Sequence, residues 1–138
     1  MNRRRQKKLT KRLLSAVMFE GVPQVDLLLR AGADPAAADV DGTTPLYAAC
    51  VHGAAKTARR LLEAGAPPDA ESAGLGAEGT PLCAAACWGH IDAVRALLAH
   101  GADPNLREDH GTGLTPLAWA TAGPHPETVA ALRAAGAR

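Results

Sequence analysis

At 138 residues the chain has the length of one domain, and its 47% hydrophobic content is carried by Ala and Leu, with only 3% aromatic residues. The net charge of +1 averages a basic start, with seven Lys and Arg between residues 3 and 12, against a remainder that is six charges negative. No stretch reaches membrane-spanning length, Ser15, Glu20 and Gly21 interrupt any secretory apolar segment, and three cysteines give no disulfide framework, so the chain reads as cytoplasmic with reduced thiols.

The first helical pattern carries Leu13 and Leu14 and ends at Gly21. Pro23 begins a second, which runs through Leu27, Leu28 and Leu29 to Gly32-Ala33-Asp34. Thr44-Pro45-Leu46 then opens a short Ala-rich helix. Thr is placed to cap the first turn, and Pro at N1 loses no hydrogen bond. His52-Gly53 closes that helix, and a partner helix ends at Leu61-Leu62 before Gly65-Ala66. Thr80-Pro81-Leu82 repeats the opening, and Gly89 ends the helix in the left-handed conformation expected there. Ile91, Val94, Leu97 and Leu98 form the apolar stripe of its partner helix, which stops at Gly101, and Asp103-Pro104-Asn105 opens a turn. Thr115-Pro116-Leu117 begins the last pair, which carries Val129, Leu132 and Gly136, with Pro124 in place of the helix-ending Gly.

The Gly-Ala landmarks at Gly32, Gly65, Gly101 and Gly136 give unit lengths of 33, 36 and 35 residues, the period of a stacked repeat array. The recurring Thr-Pro-Leu-x-x-Ala, Gly-His, Leu-Leu and Gly-Ala-Asp resembles the ankyrin repeat over about residues 9 to 138. The resemblance implies an all-α solenoid of four helix-turn-helix units, at about 9–42, 43–79, 80–114 and 115–138, joined by β-turn fingers and preceded by a basic tail at 1–8. The family's His after Thr-Pro-Leu is replaced by Tyr47, Cys83 and Ala118. Because that His helps bind neighbouring units, the resemblance implies an array less stable than a consensus one. Units one and four are expected to act as caps.

Two connections exceed the period. Gly32 to Thr44 spans 12 residues, but Gly65 to Thr80 spans 15 and Gly101 to Thr115 spans 14. Long surface loops cost little stability and often carry function, although drift in a tolerant loop would look the same.

The resemblance places the two residues before each helix-ending Gly on a concave face, here Val51 and His52, then Cys87 and Trp88. Trp88 is the leading candidate for partner contact, the alternative being packing against the next unit. Trp119 falls at an inward position and is expected in the core, while His90 and His125 are expected to be structural. Finger carboxylates Asp39, Asp41, Glu71, Glu78, Glu108 and Asp109 would steer a basic partner. Cys83, Cys87 and His90 lack a fourth ligand and a usual zinc spacing, so no metal or other cofactor is expected. Gly74-x-Gly76-x-x-Gly79 formally fits a dinucleotide fingerprint but has no βαβ context. No catalytic residue is assigned. The chain is expected to be a monomeric, non-enzymatic scaffold for an unidentified protein partner. The alternative is an adaptor targeted to nucleic acid or an anionic membrane by Arg3, Arg4, Arg5, Lys7 and Lys8.

Overall fold

The computed structural model describes residues 2–74 and 77–138. Four antiparallel helix pairs follow in chain order: α1 (Arg3–Phe19) with α2 (Val22–Arg30), α3 (Pro45–Val51) with α4 (Ala55–Glu63), α5 (Pro81–Cys87) with α6 (Ile91–Ala99), and α8 (Pro116–Ala122) with α9 (Pro126–Ala134). The first helices of the pairs stack as one layer, α1 on α3 on α5 on α8, and the second helices as another, α2 on α4 on α6 on α9. The fold is the all-α solenoid that the repeat period predicts.

Each inner helix starts where its sequence dictates. The hydroxyls of Thr44, Thr80 and Thr115 accept from the backbone N–H of Tyr47, Cys83 and Ala118, each at 3.2 Å, and Pro occupies the first turn. The core between the layers is built from Leu13, Val25, Leu61, Leu82, Val94, Leu97 and Leu132, all essentially inaccessible to solvent. Ala16, Ala49, Ala85, Ala86 and Ala120 are fully buried along the inner layer. Side chains this small let successive inner helices approach closely and replace large contacts with many short ones.

Successive units are tied at both ends of the inner helices. Where α3 and α5 end, Gly53 and Gly89 take φ of 69° each. His90 Nε2 donates to the Val51 carbonyl at 3.1 Å and His125 Nε2 donates to the Cys87 carbonyl at 3.0 Å. A Cβ on Gly89 would stand 2.5 Å from His125 Nδ1, and one on Gly53 would stand 2.6 Å from His90 Nδ1. The glycine therefore serves twice, by adopting the left-handed turn and by leaving room for the next unit's imidazole. Gly123 in the last unit has an ordinary φ of −68°, yet a Cβ there would collide with the His125 ring, so this glycine also leaves room for an imidazole. At the opposite end, Tyr47 Oη donates to the Glu78 carbonyl at 3.0 Å and Cys83 Sγ donates to the Leu114 carbonyl at 3.6 Å. The missing family His is thus replaced at two of three positions by another donor reaching the next finger.

The basic residues expected to form a separate tail belong to α1, whose first helical residue is Arg3 and whose N-cap Asn2 Oδ1 accepts from Arg4 N at 2.8 Å. Leu9 and Thr10 are buried, and Gln6 Nε2 donates to the Gly32 carbonyl at 3.2 Å, so the boundary at residue 8 falls inside a packed helix. Removing residues 1–12 would strip core contacts. A test of the charges requires substitution of Arg3, Arg4, Arg5, Lys7 and Lys8, all of them exposed.

The fingers differ from one another. Residues 39–43 form a tight turn in which Asp39 Oδ1 accepts from Asp41 N at 2.9 Å and Thr43 N at 3.0 Å. The second finger is an antiparallel hairpin of β1 (Ser72–Gly74) and β2 (Ala77–Gly79), with Ala73 opposite Glu78. Its Ala73 N–H donates to the Gly42 carbonyl at 3.0 Å, which joins it to the first finger. Leu75 and Gly76, the latter part of the glycine fingerprint, lie outside the described residues. The third finger is closed by the Glu108 N–H to the Leu114 carbonyl at 3.2 Å and carries a single turn, α7 (Glu108–Gly111).

The glycine–histidine joint yields a double-mutant prediction. Gly89→Ala should cost about 1–2 kcal/mol for the left-handed Ala alone, plus the collision with His125. In a His125→Ala background only the backbone strain remains. Urea denaturation of the four proteins should therefore give a coupling energy of at least about 0.5 kcal/mol. Strict additivity would show that the imidazole does not rest on Gly89.

Candidate functional site

The second and third fingers and the inner helices enclose a cleft of about 280 Å³. Its floor is Tyr47 of α3 and Cys83, Ala84 and Cys87 of α5. Trp88, the C-cap of α5, and Trp119 of α8 form aromatic walls, and Glu78, Glu108 and Asp109 project from the fingers. Tyr47 and Cys83 occupy the same place in their units, three residues after the capping Thr, which directs both toward the following finger.

Trp119 is half-buried, which corrects its expected place in the core. Ala48 and Ala84 hold the corresponding position in the two preceding units and are buried. An indole does not fit an Ala-sized slot. One side of the ring packs on the core while Nε1 reaches into the cleft and donates to Glu108 Oε1 at 2.8 Å. Trp88 is 62% exposed.

The third finger brings Glu108 under Trp119 through an unusual turn. Asp109 and His110 both have positive φ, 52° and 54°, and are the two non-glycine residues with this geometry among the described residues. Such a conformation costs roughly 1–2 kcal/mol per residue in L-amino acids, less for Asp. Glu71 offsets part of that cost. Its Oε1 accepts from His110 N at 2.8 Å, and its Oε2 lies 3.5 Å from His110 Nδ1. Gly79 completes the arrangement, since a Cβ there would come within 2.6 Å of Glu108 Oε2.

The electrostatics are one-sided. No Lys or Arg lines the cleft among the described residues, and Arg107 instead donates to the Gly113 carbonyl at 3.2 Å. Burial raises the Glu108 pKa, the Trp119 bond lowers it, and Asp109 and Glu71 raise it further. Burial, then Glu108 and Glu78, push the Tyr47 hydroxyl up. Burial pushes the Cys83 thiol up to about 12 and raises Cys87 with help from Glu108. These are protonated thiols at neutral pH, with little nucleophilic character. Cys83 is engaged with the Leu114 carbonyl and His90 with the Val51 carbonyl, so the Cys83, Cys87 and His90 set does not converge.

Of the residues singled out from the sequence, Cys87, Trp88, Glu78, Glu108 and Asp109 line this cleft. Val51 packs partly against the core, His52 is exposed, and neither lines it. Asp41 is exposed on the first finger, whereas the Asp39 carboxylate is committed to its own turn. The roles of Tyr47, Cys83 and Trp119 as lining residues do not follow from the sequence reading, and the contact of Glu108 with Trp119 is likewise new. Tyr47 and Cys83 carried a signal, as replacements of the family His. The contact between Glu108 and Trp119 depends on a turn in which Asp109 and His110 join Gly111 at positive φ, a conformation that Asp and His do not announce.

The raised pKa of Glu108 has a sign that can be checked. Its ionised form is disfavoured in the fold, so a cost is present above the folded pKa and disappears as pH falls through it toward the ordinary carboxylate value. Glu108→Gln keeps an acceptor for Trp119 and removes the charge. The urea midpoint of the wild type should rise relative to Glu108→Gln as pH falls through that window. A difference that is flat with pH would contradict the assignment.

Comparison with known proteins agrees with the repeat fold. A family model described as ankyrin repeats (3 copies) matches residues 13–108 and, overlapping them, 72–138. Protein PhlB of Serratia liquefaciens is 40% identical over 102 residues, covering 74% of this chain and 43% of that protein. The palmitoyltransferase Hip14 of Drosophila melanogaster is 34% identical over 99 residues, covering 72% of this chain and 15% of that protein. The NF-kappa-B inhibitor cactus of Drosophila melanogaster is 33% identical over 119 residues, covering 66% of this chain and 23% of that protein. The chain thus spans less than half the length of each of these curated relatives. Ankyrin repeats are generally protein–protein interaction modules and generally non-enzymatic. No helix among the described residues is long and apolar enough to cross a membrane. The repeat landmarks, the stacked helix pairs and the family match converge, and the chain belongs to the ankyrin repeat family.

Proposed function

We propose that the protein is a non-enzymatic binding module that holds one protein partner against its finger side. The observation that carries this reading is Trp88, a large aromatic left 62% exposed at the rim of a cleft, between carboxylates on two fingers. An exposed indole in such a setting is the residue type most often found to dominate an interface. Cys87 lies beside it in the sequence and lines the cleft, and the exposed His52 holds the equivalent place to Trp88 one unit earlier. Val51 beside it packs partly against the core. Asp41, Glu78 and Asp109 supply negative potential along the fingers, and Asp39 holds the first finger in shape.

One of the relatives carries the name of an inhibitor of another protein, which fits a module that works by contact alone. The acidic finger residues favour a partner with a basic contact patch.

Trp88→Ala should weaken partner binding by about 2 kcal/mol or more, roughly thirtyfold in Kd. His52→Ala should have a smaller effect, and both variants should keep wild-type thermal stability because both side chains are exposed. Pull-down from native lysate with wild type and each variant makes the first comparison, and surface plasmon resonance on the captured partner gives the constants. Association should slow as salt rises, because the steering charges are exposed and screened. A partner retained in full by Trp88→Ala, with a salt-independent on-rate, would contradict the reading.

A further inference from the structure

We infer that the cleft bounded by Tyr47, Trp88 and Trp119 is a receptor for one guanidinium group, the side chain of an arginine presented by the partner. This rests on the binding-module reading and specifies its contact. At about 280 Å³ the cleft falls just below the usual range for small-molecule pockets and is of a size for one long side chain. Tyr47, Trp88 and Trp119 line it together with three carboxylates, Glu78, Glu108 and Asp109, with no cation among the lining residues. That combination rejects anions outright. It suits poorly a bare metal ion, which needs several oxygen ligands at once, and among the described residues no such ligand group exists. A guanidinium meets both features, since its plane stacks on indole and its fork pairs with carboxylate. An ammonium can use only the charge.

The cleft is also built in advance. Tyr47 is held by its bond to the Glu78 carbonyl, Trp119 by its bond to Glu108, and the third finger by Glu71 at the His110 backbone. A cation entering beside Glu108 would stabilise the ionised carboxylate that burial disfavours, so little rearrangement is required on binding.

The two tryptophans of the chain, Trp88 and Trp119, both line the cleft, and intrinsic fluorescence therefore reads it directly. The probes are Nα-acetylarginine amide, the lysine counterpart and the neutral isostere Nα-acetylcitrulline amide, titrated at constant ionic strength. The variant is Glu78→Gln/Asp109→Asn. It leaves the Glu78 carbonyl in place and puts Asn, which tolerates positive φ, at residue 109. Circular dichroism should show an unchanged fold. The arginine probe should give a saturable fluorescence change, the lysine probe a weaker one and citrulline none, and the variant should bind arginine at least about tenfold more weakly. An equal response to citrulline, equal affinity for lysine, no saturation, or full retention by the variant would each overturn the inference. If partner capture still depends on Trp88 while the arginine probe fails, the binding module stands and the guanidinium receptor falls.

Discussion

The contact between one helix pair and the next is the interaction on which the rest of this protein depends. A pair such as α3 and α4 has apolar residues on two flanks and can bury them only when α1 with α2 and α5 with α6 lie against it. Alanines in the inner layer make the approach close, and the chain then uses hydrogen bonds across the same seams to fix the register. His90 and His125 bond to the carbonyl that ends the preceding inner helix, while Tyr47 and Cys83 bond forward to the next finger. The seams between α3 and α5 and between α5 and α8 are therefore each set from both ends of the helix. The arrangement has a direct cost, because a glycine must stand where each imidazole lands.

The binding surface is a consequence of that seam. Tyr47 and Cys83 point toward the following finger because their stacking role requires it, and this leaves them as the floor of a cleft. The additional residues in the second and third fingers supply its rim. Glu71 makes the third finger specific, by holding the left-handed turn at Asp109 and His110 that carries Glu108 to Trp119. The inner helices thus present the floor, and the two longer fingers bring charge to it. This division of labour is well suited to recognition, since loops carried on a stacked scaffold can present contact residues.

Much of the architecture was legible in the sequence because the determining groups act locally. Thr44, Thr80 and Thr115 cap the helices they precede, and Gly53 and Gly89 turn where the pattern places them. The site was legible only in part. Trp88 was evident as an aromatic in a position otherwise filled by small or polar residues. Trp119 was assigned to the core because its helix position is inward in the other units, but those units carry alanine there and an indole is too large to follow. The basic residues at the start were read as a tail because charge is a weak guide to where a helix begins. Burial of Leu9 and Thr10 decides that point, and burial is a property of the neighbours. The Glu108 to Trp119 contact required knowledge of two positive φ angles at residues other than glycine, which no local rule supplies.

Hydrogen–deuterium exchange with and without a captured partner tests the central claim most directly, that recognition occurs where the fingers meet the inner helices. The account predicts that added protection will be confined to peptides covering the end of α5 around Trp88 and the second and third fingers, with α4, α6 and α9 unchanged. Protection centred on the outer helices, or on the basic face of α1, would contradict it and move the binding surface to another side of the stack.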